Sequence, residues 1–285
     1  MWLWLALSSG LVYGFYDIFR KKALLEIPLL HVLALYSFCS FLLVSFDLRN
    51  ALQIEAFPLS LVALKSLLIF IGWIFGFMAL RSLPISIAAP LDTLTPLFTV
   101  LLGVIALHER LGLWQVCGVA IILGAYYLIG KAGNQEIGGI WKNKFFYLLM
   151  GSASLNAISA LMDKYILKRV NVGQMQFWFC LFLTVLYCGA LTIVRFKRND
   201  RSPLRFHWMI VGMSLFLVAA DRLYFQAVNA AASQIAIILP LRRVSVLESS
   251  ILGGIHFKEK NLKAKFGGIC LVLLGILIIF LGKAG

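Results

Sequence analysis

Charged side chains are scarce in this sequence: Asp, Glu, Lys and Arg together make up 13% of its 285 residues. Soluble domains carry roughly 25% of such residues, whereas 61% of this chain is hydrophobic. A mean hydropathy of +0.93 leaves too little polar surface for a soluble enzyme and is too high for a disordered chain. The five cysteines lie in apolar runs without a Cys-x-x-Cys pair, which excludes a disulfide scaffold and a cysteine metal cluster.

Apolar runs of about 20 residues recur along the whole chain, and each is long enough to cross a hydrocarbon core of about 30 Å as a helix. The N-terminus has neither a basic region nor a small-residue cleavage site, so we expect it to begin a span and not a signal peptide. The predicted fold class is an all-α integral membrane protein with ten transmembrane helices. The predicted spans cover residues 2–19, 29–46, 59–80, 84–107, 112–130, 145–162, 174–194, 207–226, 232–255 and 266–282.

Basic residues outnumber acidic ones by 26 to 12, and most of them lie in short connectors between spans. Cationic connectors normally face the cytoplasm, so we attribute the excess to membrane topology and expect no nucleic-acid partner. The connectors that follow odd-numbered spans hold sixteen Lys and Arg residues, against six on the other side. This count predicts that both termini lie outside. The expected location is the bacterial inner membrane, as a multi-pass protein.

The two halves of the chain repeat each other. At an offset of 150 residues Pro90, Gly103 and Glu109 return as Pro240, Gly253 and Glu259, and at an offset of 146 Asp17 returns as Asp163. Because each unit has an odd number of spans, five, the second unit enters the membrane from the side opposite to the first. This arrangement is an inverted repeat, as in many secondary transporters. We predict a first repeat over residues 1–130, a connector over 131–144 and a second repeat over 145–285.

The repeated residues resemble the signature of EamA-type transporters in the drug/metabolite transporter superfamily. The two copies are Leu107-His108-Glu109-Arg110-Leu111 with Gly118 and Gly124, and Phe257-Lys258-Glu259-Lys260-Asn261 with Gly268 and Gly275. This resemblance covers nearly the whole chain and implies ten helices that move a small metabolite by alternating access. It also implies cytoplasmic termini, in conflict with the charge count. Both signature glutamates fall near helix ends, where we expect them to cap a helix or pin a loop.

Ionisable residues at membrane depth are costly and are therefore functional candidates. Arg242 and Ser245 in the ninth span are three residues apart, as are Asp92 and Thr95 in the fourth, so each pair lies on one helical face. The repeat relates these two faces, which predicts a shared polar cavity near the bilayer midplane. The ionisable residues inside predicted spans or at their ends are Asp17, Lys65, Arg81, Asp92, Asp163, Asp221, Arg222, Arg242, Arg243 and Glu248.

Two adjacent arginines inside a span require an anion, and a guanidinium group presents a planar fork of donors that suits phosphate or carboxylate. Arg242-Arg243 also resembles the basic dipeptide in the ninth helix of plastid sugar-phosphate/phosphate translocators, which implies an anionic substrate, including a phosphorylated one. The alternative is internal pairing, of Arg242 with Asp92 or Asp221 and of Arg243 with Glu248. The two arrangements are compatible if the internal pair opens when substrate arrives.

Further residues are expected at the same cavity. The predicted substrate-binding set is Tyr13, Trp73, Asp92, Thr95, Asp221, Arg222, Arg242, Arg243 and Ser245, with Tyr224 or Gln226 nearby. Asp17 and Asp163 are candidates for gating or proton coupling, and anchoring at the membrane interface beside Lys21 and Lys164 is the alternative role. The sequence shows no metal site, nucleotide loop or nucleophile–base set, so we expect neither an enzyme nor a cofactor.

Together these patterns predict a secondary active transporter of a small anionic or zwitterionic metabolite. Its expected partners are that solute, membrane lipids and a coupling proton or counter-substrate, in a monomer or a homodimer. Two alternatives stay open: a flippase for a lipid or lipid-linked headgroup, and a broad-specificity exporter of drugs or amino acids. The flippase requires a lateral opening between spans that admits an acyl tail.

Overall fold

The computed structural model describes residues 1–82, 94–131, 144–199, 206–245 and 262–281, and the regular structure in these ranges is helical. The helices are α1 (Trp2–Glu26), α2 (Leu29–Val44), α3 (Leu48–Ala51), α4 (Ala56–Ser82), α5 (Leu94–Ala106), α6 (Leu113–Lys131), α7 (Lys144–Ile166), α8 (Val172–Arg198), α9 (Trp208–Asn229), α10 (Ile235–Arg242) and α11 (Leu262–Leu281). Most of them lie within a few residues of the predicted spans, because long apolar runs are a strong signal.

Five helices in these ranges are long and apolar enough to cross a membrane. They cover Leu29–Ala51, Ala56–Ala79, Lys144–Ile166, Val172–Lys197 and Trp208–Asn229, and shorter apolar helices cover Thr95–Ala106, Leu113–Ala125 and Cys270–Ile279. Large apolar side chains such as Leu42, Val185 and Leu277 are exposed on the bundle surface. The chain is therefore a multi-pass helical membrane protein, while ten spans in two inverted repeats stay a prediction.

α4 and α7 pack against each other in antiparallel directions. Lys65 of α4 pairs with Asp163 of α7, and Trp73, later in α4, hydrogen-bonds to Asn156, which comes earlier in α7. This register places the start of α4 beside the end of α7. The two helices together form one wall of the protein interior.

α1 packs along α9 and is crossed by the end of α10. The Ser9 hydroxyl donates a hydrogen bond to the Ala220 carbonyl oxygen at 2.7 Å, which ties α1 to α9. At the crossing with α10, a Cβ on Gly10 would lie 2.5 Å from the Arg242 carbonyl oxygen. Only glycine permits this approach, and it brings Arg242 against α1.

α6 and α11 cross at two glycines of the signature, Gly118 and Gly275. A Cβ on either glycine would lie 2.8 Å from the carbonyl oxygen of the other, so a larger side chain requires a helix to move. Membrane helices gain little from the hydrophobic effect when they associate, and small residues that permit close backbone contact take its place. These glycines therefore permit the close packing of α6 against α11.

The structure describes the ninth predicted span, residues 232–255, up to residue 245, and within that part the helix is interrupted. In the described residues α10 ends at Arg242, with Arg243 in a turn conformation. Pro240 lacks the N–H that would hydrogen-bond to the carbonyl one turn earlier, so the helical ladder weakens there. The Arg243 N–H is shared between the Leu239 and Pro240 carbonyl oxygens, at 3.3 and 3.2 Å. Arg242 and Ser245 therefore share a cavity without sharing an unbroken helix.

Candidate functional site

A cavity of about 190 Å³ lies mainly between α1, α4, α7, α9 and α10. Nine of the eleven site residues predicted from the sequence line it: Tyr13, Asp17, Trp73, Thr95, Asp163, Asp221, Arg242, Arg243 and Ser245. Asp92 lies outside the described residues, as does Glu248, the expected partner of Arg243. Arg222 is not part of the lining. The fold therefore gathers residues of both halves of the chain around one polar space.

Arg242 is held on the cavity wall by three side chains. Its Nη2 lies 2.5 Å from Asp221 Oδ1, and the Tyr13 and Tyr224 rings flank the guanidinium with centroids 4.7 and 4.5 Å from Cζ. A carboxylate and two aromatic faces together offset the cost of keeping this charge from water. Of the pairings considered for Arg242, the structure contains the one with Asp221. Its buried Nε has no hydrogen-bond partner among the described residues, which leaves a donor for a bound solute.

A second ion pair, between Lys65 and Asp163, lies deeper in the same cavity. Lys65 Nζ is 2.6 Å from Asp163 Oδ1, and the Tyr224 hydroxyl donates a hydrogen bond to Asp163 Oδ2 at 3.0 Å. The ammonium also lies 3.9 and 4.8 Å from the ring centroids of Phe179 and Phe225. Tyr224 therefore contacts both ion pairs, one through its ring and the other through its hydroxyl. Lys65 was not among the predicted site residues, although a lone lysine in an apolar span was a usable signal.

The exposure of the charged side chains falls from one end of the cavity to the other. At one end Arg20 pairs with Asp17 at 2.9 Å, and these side chains are 26% and 17% exposed. Arg20 also lies 5.6 Å from the Phe77 ring centroid, which places it beside the second half of α4. The side chains of Arg242 and its partner Asp221 are 14% and 15% exposed. Those of Lys65 and its partner Asp163 are only 3% and 4% exposed. On this basis we name the end near Arg20 the open end of the cavity and the end near Lys65 its closed end.

The uncharged part of the wall carries polar groups that face the same space. Trp73 Nε1 donates a hydrogen bond to Asn156 Oδ1 at 3.2 Å, and both residues line the cavity with Thr95. The Ser245 hydroxyl is buried and has no hydrogen-bond partner within the described ranges. A buried polar atom without a partner carries a free-energy cost that a polar solute would relieve. The wall is thus suited to a solute with several hydrogen-bonding groups.

Arg222 follows Asp221 in the chain but faces a different neighbour, since consecutive helical residues point about 100° apart. Its Nη1 lies 2.5 Å from Asp47 Oδ2 and 3.3 Å from Gln176 Oε1. This ion pair joins α9 to α8 and to the turn after α2. The structure therefore places Arg222 in a contact between helices and not on the cavity wall, where it was expected.

Glu109, in the turn between α5 and α6, binds the start of α10. Its Oε1 accepts a hydrogen bond from the Ile235 N–H at 2.8 Å, and its Oε2 accepts one from the Ala236 N–H at 3.0 Å. Lys164 Nζ donates to the same Oε1 at 2.5 Å. The expected capping role of Glu109 is confirmed. The capped helix belongs to the other half of the chain, which the sequence did not indicate.

Buried ion pairs on the wall of a cavity inside a multi-pass helical protein are features of membrane transporters. The chain belongs to the EamA-like transporter family, whose family model matches residues 1–131 and 144–281. The resemblance carried by the signature residues is thereby confirmed, and the chain is a membrane transporter.

One similar protein agrees with this assignment, and a solved structure shares the fold. An uncharacterized transporter of Archaeoglobus fulgidus is 26% identical over 237 residues, which cover 82% of this chain and 78% of that protein. A protein of known crystal structure superposes with a TM-score of 0.77 at 15% sequence identity, over 99% of this chain and 98% of the other. At that identity the second likeness shows a shared fold alone.

Proposed function

We propose that this protein is a secondary active transporter that moves a small anionic or zwitterionic metabolite across the membrane. Two inverted five-helix repeats would expose the cavity alternately to the two sides. The observation that carries this proposal is Arg242, a buried guanidinium on the cavity wall that is paired with Asp221 and whose Nε has no hydrogen-bond partner in the part of the chain that the structure describes. Guanidinium groups bind carboxylate and phosphate through such donors.

The ion pair between Arg242 and Asp221 restricts which charged groups a substrate can carry. An anion that takes Arg242 leaves the Asp221 carboxylate without its partner, and the lost hydrogen bond between these charged groups contributes about 1.5–3 kcal/mol. A zwitterion avoids this cost because its own cation can take the place of the guanidinium. A simple anion avoids it if a proton neutralises the carboxylate. The first case needs no coupling ion at this position, whereas the second describes proton-coupled transport.

Asp17 and Asp163 keep their proposed roles in gating or coupling. Asp17 lies at the open end of the cavity and pairs with Arg20, whereas Asp163 lies at the closed end and pairs with Lys65. The two carboxylates therefore stand at opposite ends of the space through which a solute would pass. Each carboxylate is paired with a cation, and the two must separate when that end of the cavity opens or closes.

The substrate class is tested with the purified protein and matched ligands. We expect thermal stabilisation by α-amino acids, carboxylates or phosphate monoesters, and none by neutral analogues of the same size. Ligands that stabilise the protein are then tested for uptake into proteoliposomes, which separates a carrier of soluble solutes from a lipid flippase.

Two matched variants locate the site. Arg242→Gln should abolish binding and uptake, whereas Arg222→Gln should keep both, since each arginine has an aspartate partner at 2.5 Å but only Arg242 faces the cavity. Full uptake by the Arg242 variant would exclude its role in binding.

A further inference from the structure

Two consecutive residues at the end of α7 connect separate parts of the fold. Asp163 pairs with Lys65 of α4 and accepts a hydrogen bond from Tyr224 of α9. Lys164 pairs with Glu109, and its Nζ also donates to the Ser233 carbonyl oxygen at 2.7 Å. Adjacent helical residues point about 100° apart, so one side chain turns into the cavity and the other turns toward the start of α10.

These contacts lie at the closed end of the cavity. Lys65 and Asp163 are its most buried charged pair, and the open end near Arg20 is on the opposite side of Arg242. On the next residue of α7, Lys164 pairs with Glu109, whose side chain is only 4% exposed. Neither of these two residues lines the cavity itself.

The pair of Lys164 and Glu109 fixes the position of α10. Glu109 binds the first two N–H groups of that helix, and Gln234 Nε2 donates to the Arg110 carbonyl oxygen at 2.7 Å, so the α5–α6 turn is docked on the helix start. α10 has eight residues and carries Arg242 at its other end. A helix of that length spans only about 12 Å, so a movement at its start displaces the guanidinium as well.

We propose that Glu109, Lys164 and the start of α10 form the outer layer of a gate, that Lys65, Asp163 and Tyr224 form its inner layer, and that the outer layer positions Arg242 through α10. This inference rests on the proposed alternating access. Its physical basis is that the Coulomb attraction within a buried ion pair and the cost of removing its charges from water nearly cancel. A gate built from such pairs separates and closes again without a large difference in free energy between its states.

The gate is tested by the accessibility of a reporter cysteine. Ser159 lines the cavity, is 1% exposed and lies one helical turn before Asp163. Ser159→Cys is placed in a chain whose five native cysteines are replaced by alanine, and a membrane-impermeant maleimide is added to each side of oriented proteoliposomes in turn. With the gate intact, labelling should proceed from the Arg20 side and be slow from the opposite side.

Removing the outer layer should admit the reagent from the closed side. We expect Lys164→Met and Glu109→Gln to raise that labelling rate roughly tenfold, because each removes charge-assisted hydrogen bonds from the closed state alone. Lys164→Arg keeps the charge and should label like the parent. The double variant Asp47→Asn/Arg222→Gln removes another ion pair away from the cavity and should also label like the parent.

Labelling from the Arg20 side checks the fold, since a correctly folded variant keeps the parent rate there. If Glu109→Gln does not fold, Lys164→Met still decides the question. Unchanged labelling from the closed side in the folded variants would overturn the proposal, as would an equal increase in the Asp47/Arg222 control. The measurement needs no substrate, so a failure to find a transported solute would leave its result intact.

Discussion

Asp221→Asn should change the affinity for anions and zwitterions differently. In the native protein the Asp221 carboxylate occupies Arg242 at 2.5 Å, so a bound anion must first break that pair. Asparagine keeps the size of the side chain but removes the competing charge. Arg242 is still flanked by the Tyr13 and Tyr224 rings, at 4.7 and 4.5 Å, which should hold the guanidinium in place.

The size of the effect follows from the contacts that are exchanged. A hydrogen bond to a charged group contributes about 1.5–3 kcal/mol. An anion no longer has to break the internal pair, so its affinity should rise roughly ten- to hundredfold. A zwitterion gains the same binding free energy at Arg242, but it loses the contact between its own cation and the Asp221 carboxylate. For a zwitterion the two changes cancel to first order, and its affinity should stay about the same.

The assay is isothermal titration of the native protein and the variant with an α-amino acid and with the carboxylate that lacks its amino group. The ratio of the two affinities should shift toward the carboxylate by roughly ten- to hundredfold. Asp47→Asn, at the other aspartate–arginine pair, should leave the ratio unchanged because that pair lies outside the cavity. If the ratio of the two affinities is the same in the native protein and in the Asp221→Asn variant, competition between Asp221 and the ligand for Arg242 is refuted.

Further outcomes are expected at other positions. Arg243→Ala should abolish uptake while the size-exclusion profile of the protein stays that of the parent, since Arg243 lines the cavity. Lys65→Met should lower the free energy of unfolding by about 3–5 kcal/mol by leaving the buried Asp163 carboxylate unpaired, and adding Asp163→Asn should restore most of it in a chemical denaturation series. Gly275→Val should cost about 1–3 kcal/mol in the same series, because its side chain meets the Gly118 carbonyl oxygen. Reporters fused to the termini should lie outside if the charge count governs topology, and a cytoplasmic signal would favour the family resemblance.

The positions of the helices were accessible from the sequence because a membrane requires long apolar runs, and such runs cannot be hidden by tertiary context. The end of α10 at Arg242 was less accessible. Pro240 weakens a helix there, but many prolines in membrane helices only bend them, so the sequence does not say where the helix stops. In the structure the Arg242 carbonyl lies against Gly10, a close contact from another helix that no pattern near Arg242 indicates.

The partners of the charged residues were much less accessible. Asp221 and Arg222 are adjacent and equally unusual within an apolar span, yet one faces the cavity and the other pairs with Asp47. Lys65 and Asp163 come from different halves of the chain, and no local pattern connects them. The sequence therefore indicates which residues need a partner, whereas the packing of the helices determines which partner they find.

Ion pairs have two separable roles in this bundle, and the cavity distinguishes them. Lipid leaves little hydrophobic force to set the register between helices, so charges and small residues must do so. The pair of Arg222 and Asp47 has this role alone, since neither residue lines the cavity. The pair of Arg242 and Asp221 sets register as well, but it also faces a space that a solute can enter. A pair that must both hold helices and release one partner to a solute is suited to coupling binding with helix movement, and a pair that only holds helices is not.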